Sequence, residues 1–405
     1  MAVGFRQSRF KRIELLGYAA IVSWVALYSF RHPVYNWDLI GYLAAIAAID
    51  HHEPQEIHRA TFEQLERSLP ADRLQELKYG NAYRQAVFEN PKYLAQQIPY
   101  HSIKPAYLAL LYGLHMAGLS VPEATIWISI GSYLAICALI WHWAGRRIGD
   151  RRLSFGLSSL LALSPPLALA AGLSTPDALS AVLVFAGLYL ILELRFTSVG
   201  LCILFASIFV RTNNLIICVL VSVFIISTRR SWPILVRTSA FAIACAVAVW
   251  LINSVTGTYG WRTFVYHSFI ASLPNPAEVR PDLTVGTYVR ILLSGLSSLY
   301  YSYVTAILLF FIGGAIALRA VGYRLAWGLA AQGAVLIMVS VSLHFLLFPV
   351  IMDRYLLGLY LAFIFISTRL FSEATLARAM THRFVPMPES SDLSEVPGPE
   401  RLPAI

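Results

Sequence analysis

Apolar runs recur along almost the whole chain, and they decide what it can fold into. They lie near 13–30, 103–118, 122–143, 153–171, 176–194, 198–210, 213–228, 233–254, 300–318, 323–347 and 356–368. A helix needs about 20 predominantly apolar residues to cross the hydrocarbon core, where each backbone polar group must be satisfied within its own segment. Composition agrees: 58% of the 405 residues are hydrophobic and 13% charged, with a mean hydropathy of +0.64. Soluble domains sit at about 45–50% and about 25%. The expected fold is all-α, a polytopic transmembrane helical protein with about 10–12 membrane helices.

The formal charge of +9 comes from 31 Lys and Arg against 22 Asp and Glu. The arginines fall in short clusters between apolar runs, as cytoplasmic flanks of a bilayer protein do, so the implied partners are membrane lipids and not nucleic acid. Cys137, Cys202, Cys218 and Cys245 all lie inside apolar runs without metal-ligand spacing and read as small hydrophobes. The opening "MAVGFRQSRFKRIELLGYAAIVSWVALYSF" has a basic head and no small-residue cleavage site, so it reads as an uncleaved first span with a cytoplasmic N-terminus.

Two longer polar connections, 31–102 and 255–286, interrupt the runs. The membrane region covers 1–372. A tail, 373–405, ends in the Pro/Ser/Glu-rich "MPESSDLSEVPGPERLPAI", which is expected to be disordered. Within the first connection "YLAAIAAI" is too short to span and is expected to lie along the membrane interface, followed by solvated helices; 287–298 reads as a second interfacial helix. Arg229-Arg230, Arg319, Arg324 and Arg369 mark the inner side, which puts both long connections outside and the tail inside, in a bacterial inner membrane. An even number of crossings must separate 31–102 from Asp177, yet three runs lie between them. Either 103–118 or 153–171 therefore does not fully cross, and "RRIGDRR" after Trp143 favours the first as the exception.

On this reading ionisable residues crowd the outer side: Asp38, His101, Lys104, Asp177, Arg211, His267, Asp282 and the trio Asp353-Arg354-Tyr355. Such groups at or within spans are costly and so point to function. Arg and Lys hold phosphate, and Asp takes a proton or a divalent cation. The plainer alternative is that they wet the headgroup layer. His51, His52 and Glu53 are adjacent, but neighbouring helical positions point apart, so no metal site follows from them.

Several stretches in order carry a resemblance: Tyr35-Asn36-Trp37-Asp38 after the first helix, "YHSIKPAYLALLYGLHMAG" opening the next, "ALSPPLALAAGLSTPDALSAVLVFAGLYL" with its Pro-Asp, and Pro349 followed by "DRYLLGLYLAF". Together they resemble the GT-C superfamily of integral membrane glycosyltransferases, which take a sugar from a polyprenyl-phosphate carrier. The resemblance implies an inverting transfer to a lipid, glycan or protein acceptor at the outer face. Asp38 would be the catalytic base and Asp177 a second acid orienting the acceptor. Lys104, Arg211 and Arg354 would hold the carrier phosphate. Trp37, His101, His267, Asp282, Asp353 and Tyr355 are further candidates for substrate contact. A divalent metal cation is left open as cofactor, with Asp38 and Asp177 its only candidate ligands. Two other classes fit the same charges: a transporter or flippase for lipid-linked sugars, and a non-catalytic assembly protein of an envelope polysaccharide pathway.

Overall fold

The computed structural model describes residues 2–321 and 328–383, with side chains over 12–321 and 328–371. Arg324 and most of the tail, including its Pro/Ser/Glu-rich end, lie outside the described residues. Among the described residues the chain is helical, and its one β-type pairing is an isolated bridge between Val34 and Leu173.

The first helix, α1 (Ala2–Arg31), leads into five short ones: α2 (Asp38–Asp50), α3 (Pro54–Ser68), α4 (Ala71–Tyr79), α5 (Ala82–Glu89) and α6 (Pro91–Ser102). The expectation of an interfacial helix here is corrected. Leu39 to Ile46 of α2 are buried in one continuous stretch, inside a hydrophobic core of their own with Ile57, Phe62 and Leu65 of α3, Val87 of α5 and Leu94 of α6. A helix that is apolar all round must be covered on every side. The amphipathic α3 does this with Ile57, Thr61 and Leu65 at helical spacing. The first connection is thus a packed helical layer.

Next, α7 (Pro105–Met116) spans about 18 Å at 1.5 Å per residue, well short of the ~30 Å hydrocarbon core. The chain then turns at Gly118 (φ +100°) into α8 (Val121–Arg147), whose start is fixed by a reciprocal Ser120–Glu123 cap. At about 40 Å, α8 is long enough to pass through both the layer and the bundle. A hinge at Ser164-Pro165-Pro166 joins α9 (Arg151–Ala162) to α10 (Pro165–Gly172) with a 50° bend. The run 103–118 is therefore the one that does not cross.

Three shorter apolar helices follow, α11 (Asp177–Leu192), α12 (Thr197–Ile208) and α13 (Leu215–Thr228), and then the long α14 (Trp232–Thr256). The second connection carries α15 (Gly260–Phe269), α16 (Val285–Gly295) and α17 (Ser297–Tyr301). Beyond it run α18 (Tyr303–Ala320), α19 (Leu329–Leu347) and α20 (Asp353–Arg383). Six helices are long and apolar enough to cross a membrane, seven if the bent α9–α10 pair counts as one span. This is fewer full-length spans than expected, because α11, α12 and α13 are too short to reach across alone and are sheltered by their neighbours. The molecule has the make-up of a multi-pass helical membrane protein.

α11 sits at the centre, packed on α8, α12 and α20. A Cβ on Gly200 of α12 would come within 2.8 Å of the Gly187 carbonyl oxygen of α11, and one on Gly358 of α20 within 2.6 Å of the Ala181 carbonyl oxygen. Small residues let helix backbones approach this closely in a membrane, where apolar side chains gain little from leaving lipid. The Gly358 contact brings the first turn of α20, with Arg354 and Tyr355, against the first turn of α11.

Candidate active site between the two hydrophobic cores

The two cores meet where five chain segments converge. Val34 N–H donates to the Gly172 carbonyl (2.8 Å) and Ser174 N–H to the Val34 carbonyl (3.1 Å). Ser174 Oγ accepts from Asn36 N–H (2.8 Å), so the segment before Asp38 is laced to the one before Asp177. Ser129 of α8 donates its hydroxyl to the Leu173 carbonyl (2.6 Å). Ala106 N–H donates to the Phe209 carbonyl (2.9 Å), tying the Lys104 corner to the Arg211 corner. The start of α20 completes the ring.

Asp177 is the anchor. It is 2% exposed, and both carboxylate oxygens are engaged. Thr175 Oγ1 donates to Oδ2 (2.8 Å), Arg211 Nη1 donates to Oδ1, and Arg354 Nε lies 3.4 Å from Oδ2. The Arg211 guanidinium lies over the Tyr355 ring (4.0 Å), and Arg354 Nη2 donates to the Tyr355 hydroxyl (3.1 Å). Two arginines are thereby held side by side by one acid and one aromatic ring. A small cavity of about 250 Å³ continues from Tyr355 into the bundle, lined by Ser180, Asn214, His344 and Gly358.

Asp38 opens α2, half-buried, across from this pair. Burial pushes its carboxyl up, but the charges of Lys104, His101, Arg354 and Arg211, in that order, outweigh burial and hold it below the usual carboxylate range. Lys104 Nζ donates to the Tyr42 hydroxyl (2.9 Å); burial pulls its ammonium down to about 8, against the favourable pull of Asp38. Burial and the Lys104 charge press the His101 imidazole down to about 3, so near neutral pH it is uncharged and Lys104, Arg354 and Arg211 supply the positive field at Asp38. His101 packs edge-on against Tyr42 above Gly41, where a Cβ would strike the imidazole ring. Its Nδ1 and the hydroxyls of Tyr100 and Tyr107 are buried and make no hydrogen bond among the described residues. Such atoms are costly to leave unpaired and suit a polyhydroxylated ligand.

Of the residues singled out in the sequence, Asp38, His101, Lys104, Asp177, Arg211, Arg354 and Tyr355 come together here. Trp37 flanks them, between the Tyr83 ring (5.5 Å) and the Arg84 guanidinium (5.6 Å). His267 stands one ring further out, against Tyr83 and Tyr100, and its Nδ1 accepts the Leu273 N–H (2.9 Å), which pins the second connection over α6. Asp353 serves α18 instead: it accepts from Ser302 Oγ (2.6 Å) and from the N–H groups of Tyr303 and Val304 (3.1 Å each), capping that helix. Asp282 is exposed in the second connection. Thr175, Tyr42 and Tyr107 belong to the site without having stood out in the sequence. For Thr175 the signal was present, a hydroxyl two residues before a helix-opening aspartate.

The site does not fit a divalent cation. Asp177 spends both oxygens on a hydroxyl and two guanidiniums, and no group of three or more His, Cys, Asp or Glu side chains converges among the described residues. Compared with known proteins, the chain matches no family model, no curated protein and no solved structure.

Proposed function

We propose that the chain is a membrane glycosyltransferase of the GT-C type, moving a sugar from a polyprenyl-phosphate carrier to an acceptor at the outer face. The observation that carries this reading is the placing of one unshared carboxylate, Asp38, opposite two arginines that Asp177 holds in parallel. A sugar phosphodiester already has a good leaving group, so the enzyme needs a base for the acceptor hydroxyl and positive charge at the departing phosphate. Lys104, Arg211 and Arg354 against Asp38 and Asp177 leave one positive charge in excess, which matches the single negative charge of a phosphodiester. The unpaired polar atoms of Tyr100, His101 and Tyr107 would receive sugar hydroxyls.

In this scheme Asp38 takes the acceptor proton as the acceptor oxygen attacks the anomeric carbon from the face opposite the phosphate. The bond to the phosphate oxygen breaks, and the anomeric configuration inverts. Donor binding also prepares the base. The phosphate partly neutralises the cations that depress the Asp38 carboxyl, so its affinity for a proton rises once the donor is seated.

That coupling predicts the pH profile. In the free enzyme Lys104 loses its charge as pH rises through about 8, and with it part of the hold on the phosphate. kcat/KM should therefore fall on the alkaline side with a midpoint near this value, while kcat, which reports the donor-bound state, should hold to higher pH. Lys104→Arg should remove the limb, because guanidinium keeps its proton. A limb unmoved in the arginine variant would show that another group titrates.

The orientation gives a second test. With the four native cysteines replaced by alanine, a single cysteine at the exposed Ser272 should react with an impermeant maleimide on intact cells. One at the exposed Ser231, between α13 and α14, should react only after the cells are permeabilised. The reverse pattern would put the site on the cytoplasmic side.

A further inference from the structure

A second charged cluster occupies the end of the bundle opposite the candidate active site. α11 begins at Asp177 and its C-cap is Glu193, so the two acids are separated by about 24 Å of helix. The Glu193 side chain is 8% exposed; it pairs with Arg147, lies 3.8 Å from Arg146 Nε and accepts the Trp143 indole N–H (3.1 Å). Arg147, Glu193 and Arg369 line a cleft of about 300 Å³ whose apolar lining includes Trp143, Leu192 and Phe365.

Arg195 adds a guanidinium in an unusual way. α11 ends in a turn in which Phe196 N–H donates to the Leu190 carbonyl (2.9 Å), and this turn requires a left-handed residue just before Phe196. Glycine is the usual occupant. Here it is Arg195, at φ +64°, the one non-glycine residue with positive φ among those described. Its charge is felt by Arg369, Arg229 and Arg147 as well as by Glu193. Inward-facing positive charge accounts for arginines in the connecting loops. It does not account for an arginine kept where a glycine would relieve the backbone, nor for so many arginines gathered at a cleft around one glutamate. A cationic rim over an aromatic and aliphatic floor, at the end of membrane helices, has the make-up of a site for an anionic amphiphile.

We propose that this cleft binds a phosphate ester group, with Arg195, Arg147 and Arg369 at the phosphate and Trp143 and Phe365 against the adjoining apolar chain. The same phosphate chemistry could reach the cleft from an anionic phospholipid of the surrounding leaflet or from soluble phosphate. The experiment separates them. The full chain is placed in nanodiscs of phosphatidylcholine alone, of phosphatidylcholine with phosphatidylglycerol, and of phosphatidylcholine with inorganic phosphate in the buffer, and its thermal midpoint is followed as each ligand is titrated. The informative variant is Arg195→Gly, which removes the guanidinium while relieving the backbone, so the fold should be at least as stable as wild type in phosphatidylcholine alone.

Phosphatidylglycerol should raise the wild-type midpoint, and the Arg195→Gly variant should need on the order of tenfold more of it for the same rise, the loss expected for one charge-assisted hydrogen bond. A rise with inorganic phosphate that the variant also weakens would keep the site and make soluble phosphate its source. The proposal is overturned if neither ligand moves the wild-type midpoint, or if the variant responds as wild type does. Sugar transfer is not measured, so this result stands or falls apart from the proposed activity.

Discussion

Asp38→Asn should slow sugar transfer by about 10²–10⁴ while leaving donor affinity within a few-fold of wild type. The amide keeps the size of the carboxylate and can remain at the start of α2, but it cannot accept the acceptor proton. Its effect on binding should be slight or even favourable, because removing the negative charge leaves Lys104, Arg211 and Arg354 more positive toward a phosphate. Asp50, at the far end of the same helix, is the control: it is exposed, and Asp50→Asn should do little. The measurement is transfer of labelled sugar from a polyprenyl-phosphate donor in nanodiscs, with donor affinity determined separately. Transfer at the wild-type rate would reduce Asp38 to a wetting residue. Loss of donor binding with an unchanged chemical step would make it a substrate ligand.

The second large effect belongs to Asp177. Its carboxylate is the shared partner of two partly buried guanidiniums, and removing one side of a buried ion pair costs about 3–5 kcal/mol, because the charges left behind are uncompensated. Asp177→Ala should therefore lower stability by that order and weaken donor binding together, since Arg211 and Arg354 would repel each other out of register. Arg354→Ala should lose about 2–5 kcal/mol of donor interaction, and Arg354→Lys should recover only part of it. The diagnostic is the double variant Asp177→Asn with Arg354→Gln. If Asp177 acts by positioning the arginines, the two changes should be much less than additive in thermal or denaturant stability. Additive losses would mean that Asp177 has a role independent of Arg354.

Much of this arrangement is written in the sequence at helix starts. Lys104-Pro105, Pro176-Asp177 and Asp353-Arg354 each pair an ionisable residue with a helix-opening position beside an apolar run, and such residues have few places to go but the ends of the bundle. That Asp38, Asp177, Lys104, Arg211 and Arg354 share one end follows from counting runs and basic flanks. What the sequence hid is set by tertiary packing. "YLAAIAAI" looks like an interfacial helix by its length, and only the faces of α3, α5 and α6 show that it is the middle of a second core. Asp353 looks like its neighbour Arg354 in sequence, but the start of α18 lies beside it and claims its oxygens. The pairing of Arg211 and Arg354 on Asp177 joins residues far apart in the chain and depends on the close α11–α20 crossing at Gly358. No local pattern announces such a crossing.

The central claim is that this site cleaves the bond between a sugar and a carrier phosphate, and the most direct measurement follows the carrier. Purified chain in proteoliposomes would be given polyprenyl-phosphate sugars together with a total envelope extract as the source of acceptor, and the lipids then resolved by mass spectrometry. The account predicts that free polyprenyl phosphate accumulates with wild type as a glycosylated product forms, and that neither accumulates with Asp38→Asn. Donor that stays intact, whether it is left in place or carried across the bilayer, would contradict it.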